Sequence, residues 1–148
     1  MTAGELWNQY WNNYPTNAWY TAWSFCGGGQ AGDRLARLVL DGTKTATASQ
    51  LELYLLEGEP VPQVGDYSVI LLDSGEAVCI IRDTKVTKVP FSEVTEQHAY
   101  LEGEGSRTLE EWRKVHREVF TQECEEAGKT FSEQSICVLE EFEVVYRA

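Results

Sequence analysis

The stretch Gly42-Thr43-Lys44-Thr45-Ala46-Thr47-Ala48-Ser49 decides the reading of this chain. Its threonines favour a strand. Gly42 stands where a glycine closes a helix, and the preceding residues, about Gln30 to Asp41, carry Leu35, Leu38 and Val39 at helical spacing. In a regular strand, residues three apart point to opposite faces. Lys44 and Thr47 can therefore meet only across a turn or bulge, which an irregular start after Gly42 would supply.

Working outward, Glu5 to Tyr14 reads as a first helix stopped by Pro15. The aromatic stretch Trp19, Tyr20, Trp23 and Phe25 is expected in the core, and Gly27-Gly28-Gly29 marks a sharp turn. Leu51 to Leu56 is a short helix or a covering loop. Tyr67 to Leu72 and Ala77 to Val89 read as a strand pair around the turn Asp73-Ser74-Gly75-Glu76, with Pro90 as its stop. Ser92 to Leu101 reads as a short helix. Thr108-Leu109-Glu110-Glu111 is a capping box opening a long helix. Its core stripe is Leu109, Trp112, Val115, His116, Val119 and Phe120. Ile136 to Tyr146 is the last strand. Helices, strands, helices and a strand, with few βαβ units, argue for one α+β domain over residues 1–148, with 1–20 as an N-terminal helical extension.

Composition narrows the function. The net charge is −12, which opposes broad, non-specific binding to nucleic acid. The late acids, among them Glu110, Glu118, Glu125 and Glu126, read as a solvated helix face. No apolar run is long enough to span a membrane, and the N-terminus lacks the pattern of a signal peptide. Cys26, Cys79, Cys124 and Cys137 form no C-x-x-C pair and read as reduced thiols, so a cytoplasmic protein without membrane attachment is expected. Gly128-Lys129-Thr130 lacks the upstream glycine of a phosphate loop, and the triple glycine lacks dinucleotide-site spacing. His98 and Glu102 share a helix face but are too few for a metal site. Neither metal nor cofactor is expected.

Gly42-Thr43-Lys44-Thr45-Ala46-Thr47 resembles the G-x-K-x-x-T signature of the ASCH domain, a small fold similar to the PUA RNA-binding fold. Gly65-Asp66 before a strand, Phe91 with Val94, Glu102-Gly103-Glu104-Gly105, Trp112-Arg113 with His116, and the closing strand through Tyr146 extend the resemblance from about Ala22 onward. It implies a PUA-like mixed or antiparallel β-barrel flanked by helices. Some ASCH proteins are amidohydrolases that deacylate N4-acetylcytidine, using a Lys and a Thr of this signature with a Glu just after a short helix. By position these are Lys44, Thr47 and Glu102. Where that signature continues with Arg, this chain has Ser49.

The expected pocket is therefore lined by Lys44, Thr47 and Glu102, with Thr45, Ser49, Trp23, Phe25 and Arg107 as further ligand contacts. Two functions follow. One is an amidohydrolase acting on a small acylated nucleoside. The other is a module that binds a nucleotide or short RNA without turnover, or cleaves RNA. For the first, a lysine serves as base only when neutral, whereas a close Glu102 favours the ammonium, so a proton shared within the pair is the expected arrangement. A homodimer through the aromatic N-terminal segment is a further expectation.

Overall fold

The computed structural model describes residues Met1–Ala148. Helix α1 (Ala3–Asn13) is opened by a complete capping box between Thr2 and Glu5. Strand β1 (Tyr20–Trp23) and helix α2 (Gly29–Leu40) follow, joined by a short 3-10 turn at Phe25–Gly27. Strand β2 (Ala46–Gln50) runs without a loop into helix α3 (Leu51–Glu57). The hairpin β3 (Tyr67–Leu71) and β4 (Ala77–Pro90) leads to helices α4 (Glu96–Glu102) and α5 (Leu109–Glu126), and β5 (Ile136–Arg147) closes the chain.

The strands form one mixed sheet in the order β1-β3-β4-β5-β2. β1 lies parallel to β3, and the other neighbours are antiparallel. The α+β expectation therefore holds, with a correction. β1 and β2 are the two edges and do not pair, so the sheet is open rather than a closed barrel. β1 is also a strand that the sequence did not announce. Its four residues pair with a segment more than forty positions away, which leaves no local pattern.

Alternation builds two cores on opposite sides of the sheet. Ile70, Cys79 and Ile81 face Leu35, Ala36 and Val39 of α2, while Val69 and Ile80 face Leu6, Trp7 and Tyr10 of α1. A third cluster joins Phe91, Val94 and Ala99 to Trp112 and Phe120 of α5 and to Cys137.

Four details depart from the sequence reading. Pro90 ends β4 from within, paired with Ile136; beyond Arg82 that strand has β5 as its only neighbour, so the missing N–H leaves no ladder bond unmade. Trp19 is exposed rather than core. Thr108 accepts from the Glu111 N–H as expected, but the Glu111 carboxylate turns to Ser106 instead of completing a box. Val115 and Val119 are exposed, and they wall the cleft described next. All four cysteines are free thiols, and no helix is long and apolar enough to cross a membrane.

Candidate functional site

Backbone geometry between α2 and β2 resolves the problem of the opposed faces. Gly42 takes a left-handed φ of +85°, and the Lys44 N–H donates to the Leu38 carbonyl at 3.0 Å. The Thr45 N–H then donates to the Leu101 carbonyl at 2.8 Å, which ties this turn to the end of α4. Regular strand begins only at Ala46. Lys44 and Thr47 are thus separated by a bend, and both line one cleft.

The cleft holds about 350 Å³ and runs along the free edge of β2, where Thr47, Ala48, Ser49 and Gln50 all reach it. Leu53 and Tyr54 of α3 form one side, and Val115, His116, Val119 and Phe120 of α5 form the other. Phe25 lies beneath, its ring centroid 5.4 Å from the Lys44 ammonium nitrogen. The Ser49 and Tyr54 hydroxyls are 2.9 Å apart. Burial raises the Tyr54 phenol to about 12, so it stays a neutral hydroxyl across the working range. Gln50 secures the far end by donating to the Phe120 carbonyl at 3.2 Å and the Glu123 carboxylate at 3.0 Å.

Lys44 and Glu102 are each only 1% exposed. A buried charge survives only with close partners, and Lys44 Nζ has four oxygens within reach. They are the Ala46 carbonyl at 2.9 Å, Glu104 Oε2 at 2.7 Å, and Glu102 Oε1 and its carbonyl at 3.4 Å each. This acceptor set fits an ammonium with three protons. It does not fit a neutral base.

Glu102 is the hub behind that ammonium. Its Oε2 lies 2.7 Å from His98 Nε2 and accepts from the Trp112 indole N–H at 2.6 Å. Its Oε1 faces His116 Nε2 at 3.6 Å. Burial alone would raise this carboxyl. The Lys44 charge and the hydrogen bonds from His116 and His98 outweigh it and hold the group well below the usual carboxylate range. His116 is held in turn. Its Nδ1 meets the Trp112 carbonyl at 2.8 Å, and its ring stacks on the Trp112 indole with centroids 4.1 Å apart. One nitrogen faces a carbonyl and the other a carboxylate, so both act as donors only in the imidazolium. Burial opposes that charge, but the bond and charge of Glu102 prevail and raise the His116 pKa.

The turn after α4 is what brings two carboxylates to one lysine. Gly103 has φ +72°, and a Cβ there would collide with the Thr43 carbonyl. Gly103→Ala is therefore expected to destabilise the chain by about 2 kcal/mol or more, which thermal unfolding would show. Gly58→Ala, also at positive φ but with open space around it, should cost about half as much.

Of the expected site residues, Lys44, Thr47, Glu102, Ser49 and Phe25 line the cleft. Thr45, Trp23 and Arg107 lie elsewhere. The Thr45 hydroxyl reaches back to the Leu101 carbonyl at 3.4 Å, and Trp23 packs edge-on against Phe25 at 4.8 Å. Arg107, at a left-handed φ of 60°, lies 3.6 Å from the centroid of the Tyr100 ring and donates to the Tyr100 carbonyl at 2.9 Å. It braces the loop from outside this cleft. Sequence reasoning missed Glu104, Tyr54 and the cleft role of His116. The close repeat Glu102-Gly103-Glu104-Gly105 hinted at Glu104, and the pattern Trp112-Arg113 with His116 at His116.

A sequence model of the ASCH domain matches residues 21–146. No curated protein matches the chain. Among solved structures, the chain is similar to an ASCH domain from Lactobacillus crispatus JV V101, with 35% identity, TM-score 0.91, and coverage of 97% of this chain and 94% of that one. It is also similar to a protein from Enterococcus faecalis V583, with 33% identity, TM-score 0.90, and coverage of 97% and 88%. The match spans most of the chain in sequence and in fold, and the chain belongs to the ASCH domain family, a PUA-like fold.

Proposed function

We propose that this chain is a small-molecule amidohydrolase acting on a nucleoside-like amide of the N4-acylcytidine class. The observation that carries this reading is the meeting of an ammonium, a hydroxyl and carboxylates from separate parts of the chain in one cleft of ligand size.

The roles follow from access. Glu102 is fully buried and already satisfied, so it positions Lys44 and His116 rather than meeting substrate. Glu104, with its side chain 30% exposed and bonded to Lys44, is the carboxylate a ligand can reach. Thr47 Oγ1 adds to the amide carbonyl carbon, and its proton passes to Glu104. Once protonated, Glu104 loosens its hold on Lys44, and the developing oxyanion takes the ammonium hydrogen bond that Glu104 held. The C–N bond breaks as the leaving nitrogen receives that proton from Glu104. Water then cleaves the acyl-threonine ester, releasing the acid and restoring Thr47. Ser49, where an arginine stands in the hydrolase signature, places a hydroxyl rather than a guanidinium at this position of the cleft. That suits an uncharged acyl group.

The test is release of cytidine and acetate from N4-acetylcytidine and related amides by the pure protein, alongside Lys44→Ala, Glu102→Ala, Thr47→Val and Glu104→Gln. Thr47→Val and Glu104→Gln should each lower kcat by about 100-fold or more while the fold persists. Full activity in those two variants contradicts the assigned roles. No turnover of any amide, with salt-sensitive binding of RNA oligomers, would favour a binding module instead.

A further inference from the structure

The cleft carries a second chemical property that the catalytic groups do not use. Five carboxylates line it, from Glu57, Glu59, Glu102, Glu104 and Glu123, against two cationic side chains, Lys44 and His116. Those cations are spent internally: Lys44 lies against Glu102 and Glu104, and His116 against Glu102. Glu57, Glu59 and Glu123 remain at the mouth, exposed and without any cationic partner. Glu57 is the last residue of α3, where a negative charge opposes the helix dipole. Glu123 is fixed by the amide of Gln50. Leu53, Val115 and Val119 line the same cleft beside them as apolar wall. A cleft with one sign of charge and low-dielectric walls focuses its field toward the opening.

We propose that Glu57, Glu59 and Glu123 act as a charge filter that turns phosphorylated ligands away from the cleft and admits neutral or cationic ones. A phosphate is held by free N–H donors or unpaired cations, and the one ammonium inside is already shared by two carboxylates. The field is a property of these residues alone. The identity of the excluded ligand as a nucleotide rests on the proposed function.

Cys26 supplies a reporter that needs no ligand. It lines the cleft and is exposed, while the other three cysteines are buried. The full chain would be treated with a cationic and an anionic methanethiosulfonate of equal size, with rates divided by those for free cysteine. At low salt the cationic reagent should be favoured by about ten-fold or more, falling toward one at high salt. The preference should collapse in the triple variant Glu57→Gln, Glu59→Gln, Glu123→Gln. It should persist in the control Glu118→Gln, Glu125→Gln, Glu143→Gln, which removes as much charge from exposed positions that do not line the cleft. No preference, or equal loss in both variants, overturns the filter. In a second arm, calorimetry compares cytidine with cytidine 5′-monophosphate. The nucleotide should bind at least about ten-fold more weakly, and the cleft triple variant should narrow that gap. Equal binding overturns the filter. If the thiol preference stands while neither compound binds, the filter holds and the nucleoside reading fails.

Discussion

Replacing Lys44 with methionine is expected to destabilise the chain by about 3–5 kcal/mol and to abolish amide hydrolysis. The side chains are similar in length, so packing is nearly kept, but the change strands Glu102 without its nearest cation. That carboxylate is 1% exposed, and it has Lys44 at 3.4 Å as the only fixed charge among its partners besides two histidines. With Lys44 gone, only the His116 imidazolium at 3.6 Å is left to offset the desolvation cost of the buried Glu102 charge. The double variant Lys44→Met, Glu102→Gln should recover much of the lost stability, because the amide needs no cation. It should not recover activity. Urea unfolding of the two variants and the wild type, read with the turnover assay, separates the two effects. A Lys44→Met protein as stable as the wild type would contradict the buried ion pair.

Raising the pH should weaken this fold well before lysines titrate, because of a second pair of buried carboxyls. Asp83 on β4 and Glu140 on β5 are both buried, and neither has a cationic partner. Burial, the hydrogen bond to Asp83 and the charge of Asp83 push Glu140 up to about 9. Burial raises Asp83 to about 6, offset in part by its bond to Glu140 and helped by the nearby Asp66. The pair therefore keeps one proton at neutral pH that the unfolded chain would have given up.

The sign of the pH dependence follows. The folded state binds more protons than the unfolded state between the ordinary carboxyl value of 4.5 and about 9, so stability falls as pH rises across that window. The contribution is whole below the lower value and is lost as pH climbs through the upper one. Glu140→Gln carries no proton to lose and can still donate to Asp83. It should flatten the decline and stabilise the chain at pH 9 by about 2 kcal/mol or more relative to wild type. Thermal midpoints from pH 5 to 9 check this. Parallel curves for variant and wild type would contradict it. Thr47 is the cross-strand partner of Glu140, so any loosening of the pair is expected to reach the cleft as well.

The strength of each local signal decided how much of this was legible in the sequence. α2 and α5 followed from apolar spacing and their end signals, and the β3–β4 hairpin from its Asp-Ser-Gly-Glu turn. The start of β2 was only half legible. Threonines suggested strand from Thr43, but Thr45 bonds to Leu101, a residue 56 positions away, and that contact delays the strand to Ala46. His116 shows the limit of periodicity. Helical spacing placed it correctly beside Trp112 and Phe120, yet the same stripe turns Val115 and Val119 toward an open cleft rather than a core. Glu104 was hidden because two left-handed glycines, Gly103 and Gly105, set its direction. Asp83 and Glu140 lie 57 residues apart on strands that meet only after folding, so no linear pattern could announce them.

A crystal structure of the chain grown with saturating cytidine addresses most directly whether an ammonium, a hydroxyl and an accessible carboxylate form one working site. The base should lie between Tyr54 and Val119, with its exocyclic nitrogen beside Glu104 and within reach of Lys44 and Thr47. Cytidine seated away from the edge of β2, or a cleft left empty at saturation, would contradict it.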